Sequence, residues 1–163
     1  MSHDRTKEDV GADLHKAIYY GDSAVHYHGF ALMEQYLTEM PESITFVDGG
    51  GWTTLHWAIY CSRQNIIERI MDSEDGKSQI TARNSSGDTP LHKCMVTGSK
   101  ATAELLLEAG ADPCARNNKN ETPADVARRL QMNAVGDVVK EAQQKREADI
   151  EKAAQKAAEA EDD

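Results

Sequence analysis

The chain has 163 residues and a formal net charge of −10, with 28 acidic residues against 18 Lys and Arg. Such a surface repels nucleic acid and anionic lipid, since affinity for phosphate comes mainly from Lys and Arg. The apolar runs are shorter than the roughly 20 residues of a membrane span, and the charged amino end differs from a secretory leader. We therefore expect one intracellular domain, in the cytoplasm or nucleus, that binds neither nucleic acid nor membrane.

One short motif recurs along the chain. A second short motif recurs with the same period. Its copies Ile80–Arg83 and Pro113–Arg116 are 33 residues apart, the same spacing as from Gly87 to Asn120. Two motifs at one period indicate internal repeats. The copies of the first motif, the earliest of them weak, are Asp13–Ala17, Gly51–Ala58, Gly87–Cys94 and Asn120–Ala127.

The motif predicts the start of a helix. Thr89 and Thr122 can cap a helix with their hydroxyls, and Pro90 and Pro123 follow at the first helical position, where no amide donor is lost. Between these two motifs, the apolar segment Ala103–Asp112 predicts a second helix that is closed by a glycine.

These motifs resemble the ankyrin repeat, a unit of about 33 residues with a Thr-Pro-Leu-His signature. The resemblance implies an all-α solenoid of helix-turn-helix units with projecting hairpin-like loops. We count four repeats, the first and last divergent, in a domain over residues 12–142. Residues 1–11 are predicted to be a flexible tail, and residues 143–163 a charged tail, helical or disordered.

The outer repeats depart from the pattern in identifiable places. The second repeat has three extra residues, which we place in a polar loop over Asp72–Gln79, and the first has eight, which fit best as Asp22–Gly29. The fourth carries Ala124 and Asp125 in place of the motif Leu and His, as expected of a terminal repeat. Its second helix is predicted over Val135–Ala142.

The polar residues favour structural roles over catalysis. The resemblance implies that His15, His56 and His92 hydrogen-bond their own backbone turns. His26 and His28 form a His-x-His pair in the insertion without further ligands nearby, so no metal is expected. The cysteines Cys61, Cys94 and Cys114 are an odd number without Cys-x-x-Cys spacing and are expected to be free thiols.

A glycine triplet, Gly49–Gly51, lacks the Gly-Lys-Ser/Thr of a phosphate loop and is interpreted as a turn that needs positive φ. No Ser-His-Asp or Cys-His set can be assembled. We therefore expect neither enzymatic activity nor a cofactor, and a catalytic reading rests only on His26 and His28.

The resemblance implies that a protein partner binds at the turn tips and on the concave face of the first helices. We expect Trp52 to be exposed there and Trp57 to be buried between repeats. The predicted partner-binding residues are Tyr19, Tyr20, Trp52, Tyr60, Cys61, Ser86, Asp88, Val96, Lys119 and Glu121.

The sequence predicts a monomeric, non-catalytic interaction module that serves as an adaptor or regulatory subunit. The alternative is a stoichiometric inhibitor of an enzyme such as a kinase, because small ankyrin proteins of about this size can act in that way. The tail also has two interpretations, a solvated extension of the last helix or a helix that binds a partner or a second copy.

Overall fold

A computed structural model describes residues 6–20, 35–36, 38–39 and 41–161 of the chain. Within these ranges the chain is a succession of helices, and the only β pairing is an isolated bridge between Val47 and Thr53. The α-helices are α1 (Lys7–Tyr20), α2 (Thr54–Tyr60), α3 (Gln64–Met71), α4 (Glu74–Lys77), α5 (Pro90–Thr97), α6 (Lys100–Glu108), α7 (Pro123–Arg129) and α8 (Asn133–Glu161). Short 3₁₀ helices cover Pro41–Thr45 and Ser78–Thr81.

The core runs through the stack because each repeat buries its motif residues against its neighbours. The motif leucines Leu14, Leu55 and Leu91 are completely buried, as is Cys94, which takes the place of the motif alanine. The expected all-α repeat solenoid is confirmed.

The loops between repeats share one turn geometry. Asp48, Asn84 and Asn117 stand at equivalent positions, and the Oδ1 atom of each accepts hydrogen bonds of 2.8–3.0 Å from the amides two and four residues later. The chain reverses at a residue with positive φ, which is Gly51, Gly87 or Asn120. Amide-to-carbonyl bonds of 2.9 and 3.0 Å join each loop to the next. The turn expected at Gly49–Gly51 is present.

The motif histidines of the two central repeats act as predicted and also bridge to the next repeat. His56 Nδ1 accepts from the Thr53 amide at 3.3 Å and closes the start of α2. Its Nε2 lies 3.0 Å from the Asp88 carbonyl oxygen, on the following repeat. His92 does the same at α5, with its Nε2 3.0 Å from the Glu121 carbonyl oxygen.

The first repeat departs from the prediction. Helix α1 begins at Lys7, inside the range predicted to be a flexible tail, and Val10 in that range is buried. His15 therefore lies in the middle of a helix with no turn of its own to cap. Its Nε2 lies 3.1 Å from Thr54 Oγ1 of the second repeat. The predicted role of His15 was wrong because α1 extends past the motif.

Two further predictions for the first repeat fall partly or wholly outside the described residues. The insertion Asp22–Gly29, with His26 and His28, lies outside them. The second helix that the helix-turn-helix unit implies for this repeat is described only at residues 35–36 and 38–39, which are helical, and Tyr36 is buried.

The segment with the three extra residues of the second repeat forms two short helices where a polar loop was predicted. Ser73 caps α4 by accepting from the Gly76 amide at 3.0 Å, and a Cβ at Gly76 would collide with the Ile70 carbonyl. The buried side chain of Gln79 then donates to the Ile44 carbonyl at 2.7 Å and accepts from the Leu55 amide at 3.0 Å. The segment thus holds the start of α2 against the first repeat.

Helix α8 continues without a break beyond the second helix predicted for the fourth repeat. Val135 and Val139 pack into the core, whereas from Gln144 to Ala158 the side chains are exposed. Arg146 is the exposed residue that reaches back, with its Nη1 3.2 Å from Asp112 Oδ1. Most of the distal helix therefore projects from the stack.

We expect deletion of residues 143–163 to leave the melting temperature within about 3 °C of the full chain, because the deleted residues bury little apolar area and an exposed ion pair contributes little. Circular dichroism melting measures the change. A control truncation that starts at residue 133 also removes Val135 and Val139 and lowers the melting temperature sharply. A comparable drop for the shorter deletion would show that the distal helix packs on the stack.

Candidate protein-binding surface

The first helices of the four repeats present two rows of side chains. One row follows the motif His position directly, and the other follows three residues later, which places both on one helical face. The first row is Lys16, Trp57, Lys93 and Val126, and the second is Tyr19, Tyr60, Val96 and Arg129. We call this surface of α1, α2, α5 and α7 the first-helix face.

An aromatic cluster occupies the first two repeats of this face, made up of Tyr19, Tyr20, Trp52, Trp57 and Tyr60. Ring centroids lie 5.6 Å apart between Tyr19 and Trp57, 4.8 Å between Trp57 and Trp52, and 5.4 Å between Trp52 and Tyr60. Tyr19 and Tyr20 are each 50% exposed and Tyr60 is 46% exposed. Rings that contact one another and remain half in water form a rigid apolar surface.

The two tryptophans share one environment, contrary to prediction. Trp52 was expected to be exposed and Trp57 buried between repeats, but both are half-buried and contact each other, with their ring planes tilted by 36°. Trp57 lies on the first row of the first-helix face, so its ring points across that face and covers part of Trp52. The predicted burial of Trp57 is therefore corrected, and Trp57 belongs to the aromatic cluster.

Asp48 anchors the cluster to the loop. Its Oδ2 accepts the Trp57 indole N–H at 2.9 Å, while Oδ1 accepts the Gly50 and Trp52 amides. Partial burial alone would raise the pKa of Asp48, but these hydrogen bonds outweigh it and lower the pKa below its ordinary value. The carboxylate is thus ionised near neutral pH and holds the Trp57 ring in a fixed position.

A polar cleft of about 320 Å³ lies beside the cluster, between the third and fourth repeats. It brings together five of the predicted binding residues, which are Ser86, Asp88, Val96, Lys119 and Glu121. Asp88 accepts from Lys93 Nζ and from the Asn117 amide group, both at 2.8 Å. Glu121 accepts from Arg129 Nε at 2.8 Å. Lys93 and Asp88 thus hold each other, as do Arg129 and Glu121.

The electrostatics of the cleft keep both carboxylates ionised. Burial opposes the charge of Asp88, yet the hydrogen bonds from Lys93 and Asn117 lower the pKa of Asp88 below its ordinary value. The hydrogen bond from Arg129 lowers the pKa of Glu121 in the same way. The cleft therefore offers a partner fixed charges of both signs.

Lys93 joins the cleft to the aromatic cluster. Its Nζ lies 2.8 Å from Asp88 Oδ2 and 4.6 Å from the centre of the Trp52 ring. A cation over a tryptophan face is attracted by the negative face of the ring. The two parts of the first-helix face therefore form one continuous surface.

Cys61 is the one predicted binding residue that belongs to neither part. It is half-buried at the end of α2, and burial raises the pKa of its thiol. Burial likewise raises the pKa of Cys94 to about 12, so that thiol is inert. All three cysteines are free.

Several residues of the surface were missed by the sequence analysis. The predicted binding residues did not include Lys93 and Asn117 in the cleft, Trp57 in the cluster, or Phe46 and Asp48 beside it. A comparison of repeat positions would have found most of them, because Trp57 and Lys93 occupy equivalent positions, as do Asp48 and Asn117.

The described ranges contain neither a metal-binding cluster nor a membrane-spanning helix. No group of three His, Cys, Asp or Glu residues there is arranged to hold a metal ion. No helix in the same ranges combines the length and apolar character that crossing a bilayer requires.

The stacked helices, joined by loops of one geometry, define a repeat protein. The sequence model of the ankyrin-repeat family matches residues 14–117 with three copies. The chain belongs to the ankyrin-repeat family. Helices α7 and α8 lie beyond the matched range and form the divergent fourth repeat. Ankyrin repeats generally act as protein–protein interaction modules.

Curated relatives share the repeats over part of their length. The chain is 28% identical over 87 residues to ankyrin repeat and SOCS box protein 3 of Homo sapiens, covering 53% of this chain and 17% of that protein. It is 31% identical over 90 residues to ankyrin repeat-containing protein YGL242C of Saccharomyces cerevisiae, covering 51% and 49%. It is 46% identical over 47 residues to ankyrin repeat domain-containing protein 29 of Homo sapiens, covering 29% and 16%. The chain spans about half or less of these relatives.

Proposed function

We propose that this protein is a non-catalytic adaptor or regulatory subunit that holds a protein partner on its first-helix face. The observation that carries the proposal is the aromatic cluster, in which Tyr19, Tyr20 and Tyr60 remain about half exposed although each is a large ring. Tyr and Trp dominate the residues that contribute most to protein interfaces.

The arrangement of the surface supports one extended contact. The aromatic cluster supplies apolar area, and the adjoining polar cleft supplies fixed charges through Asp88, Lys93 and Glu121. An apolar centre with a polar border is the common anatomy of a protein interface. A partner that covers both parts contacts three or four repeats at once.

The test compares capture of proteins from a lysate of the source cells by the full chain and by a Tyr19→Ala/Tyr60→Ala variant. Both side chains are half exposed, so we expect the variant to keep the fold, whereas replacing Trp52 would remove contacts with Trp57 and Lys93. We expect the double variant to bind its partner at least thirtyfold more weakly, about 2 kcal/mol, because two anchor rings are lost.

The matched control is Ile150→Ala, which removes a side chain that is 60% exposed on the projecting part of α8. It should capture the same partner with unchanged affinity. Charge changes at Lys119 should contribute about 1 kcal/mol or less, as is usual for charges at the rim. Equal capture by the double variant and the wild type, with both folded, would contradict a partner site on the aromatic cluster.

A further inference from the structure

A cavity of about 400 Å³ opens beside the aromatic cluster, between α1 and the first loop. Its walls include the rings of Tyr19, Phe46 and Trp57, with His15 and Asp48 between them. The ring centroids of Tyr19 and Trp57 lie 5.6 Å apart, and those of His15 and Phe46 lie 4.9 Å apart. The volume falls in the range of sites that take a side chain or small ligand.

Most groups that line this aromatic cavity attract positive charge. Aromatic faces carry partial negative charge. Asp48 is ionised, and the three N–H groups that it accepts leave room for a further donor. His15 is buried, and desolvation lowers its pKa to about 4, so near neutral pH it is uncharged and does not repel a cation.

Lys16 is the cation among the residues that line the cavity. Its side chain is 68% exposed, and its Nζ lies 3.3 Å from Asp13 Oδ1, so the ammonium stays at the rim in water. The interior is left with rings and one carboxylate. The net charge of −10 adds a long-range attraction for basic partners.

The same pairing of ring and carboxylate already holds a cation one repeat further along. There Lys93 lies over the Trp52 ring and bonds to Asp88. Trp57 and Asp48 form another pair of ring and carboxylate, and this pair lines the aromatic cavity without a lysine over the ring.

We propose that the aromatic cavity binds the guanidinium group of an arginine side chain on a partner protein, seated against Tyr19 and Trp57 with Asp48 as its counter-charge. This inference rests on the proposed function and names the chemistry of the partner. Arginine fits better than lysine because a guanidinium is flat and weakly hydrated, so it loses little water against ring faces.

The probe for this proposal is the single amino acid with blocked ends, acetyl-arginine methylamide, titrated into the isotope-labelled full chain. The chain has two tryptophans, so two indole N–H signals report on the site. The Trp57 signal, assigned with a Trp52→Phe variant, lies at Asp48 and the cavity. We expect it to shift saturably and by more than the Trp52 signal.

Two matched probes isolate the chemistry. The citrulline derivative has the same shape without the charge and should bind about tenfold more weakly, since the attraction to rings and carboxylate is lost. The lysine derivative should also bind several-fold more weakly than arginine. Equal response to citrulline would overturn the role of charge, and equal response to lysine would overturn the choice of guanidinium.

Two variants locate the site. Tyr19→Ala removes a wall of the aromatic cavity and should weaken arginine binding several-fold. Tyr60→Ala removes a ring of the same cluster that does not line the cavity, so its arginine affinity should equal the wild type's. Equal loss in both variants, or no saturable shift up to about 50 mM probe, would overturn the proposal.

The outcomes separate this inference from the proposed function. If Tyr19→Ala/Tyr60→Ala loses the captured partner while arginine shows no preference over citrulline, the interaction face stands and the arginine site falls. If arginine binds selectively while partner capture is unchanged, the arginine site stands and the proposed interaction face falls.

Discussion

Leu91→Ala should lower the free energy of unfolding by about 2–5 kcal/mol, the range for deleting a large side chain from a packed core. Leu91 is completely buried on α5, the first helix of the third repeat. An internal repeat is stabilised by its interfaces with both neighbours, so a cavity at this position weakens the stack in two directions. The loss is a large share of the free energy of unfolding of a typical domain, which is roughly 5–15 kcal/mol.

Urea unfolding followed by circular dichroism measures this loss. The matched control is Val96→Ala on the same helix, because Val96 is 40% exposed and its truncation should cost less than about 1 kcal/mol. A cost below about 1 kcal/mol for Leu91→Ala would place the motif leucine outside the core and contradict the repeat register.

The central repeats were predictable because each signal there is local. Thr89 and Pro90 start a helix, and His92 closes its first turn, wherever that motif stands. The fourth repeat has Asp125 in place of the motif histidine, and the role of that histidine explains the exchange. Asp125 caps α7 by accepting from the Thr122 amide and hydroxyl at 2.9 Å, as the Nδ1 of a histidine would, but it has no counterpart of the Nε2 ring nitrogen. The structure describes no further repeat after it for such a nitrogen to reach.

The extent of the first helix was misjudged because its capping signal lies outside the motif. The positions that hold Thr and Pro in the third repeat are Ala12 and Asp13 in the first, so nothing starts a helix there. The start is instead at Thr6, where Thr6 Oγ1 accepts from the Asp9 amide at 3.2 Å and Asp9 accepts from the Thr6 amide at 3.1 Å. Thr-x-x-Asp is a helix-capping pattern, so this start can be recognised from the sequence.

The environment of the tryptophans could not be predicted from either residue alone. The exposure of Trp52 depends on the Trp57 ring that covers it, and the position of Trp57 depends on the hydrogen bond that its indole N–H donates to Asp48, nine residues earlier. Pairwise contacts of this kind are set by tertiary packing and not by local preference. For the same reason the aromatic cavity, which joins α1 to the first loop, has no signature in the sequence.

The free energy of unfolding should fall by about 4 kcal/mol between about pH 7.5 and about pH 5, because two buried histidines resist protonation in the folded state. Burial lowers the pKa of His15 and His56 from 6.5 to about 4. Above the unfolded value both states are neutral and stability does not depend on these groups. Below it the unfolded chain gains protons that the folded chain does not, so stability is lost as the pH falls towards 4.

His15 and His56 contribute about equally to this loss of unfolding free energy, about 2 kcal/mol each over the pH range. Burial also lowers the pKa of His92, which adds to the loss in the same direction. The carboxylates with lowered pKa values, such as Asp48 and Asp88, lose their contribution only at lower pH, because their ordinary value is 3.8. The window from about pH 7.5 to about pH 5 therefore isolates the histidines.

Urea unfolding of the wild type and of His56→Gln at both pH values tests this origin. Glutamine can accept from the Thr53 amide and donate to the Asp88 carbonyl, the two bonds that His56 makes, but it does not titrate. The variant is expected to be less stable at about pH 7.5 and to lose about 2 kcal/mol less than the wild type on acidification. If both proteins lose the same free energy of unfolding, His56 takes up as much proton in the folded chain as in the unfolded chain. Its pKa in the folded stack would then equal its value in water, which would contradict this prediction.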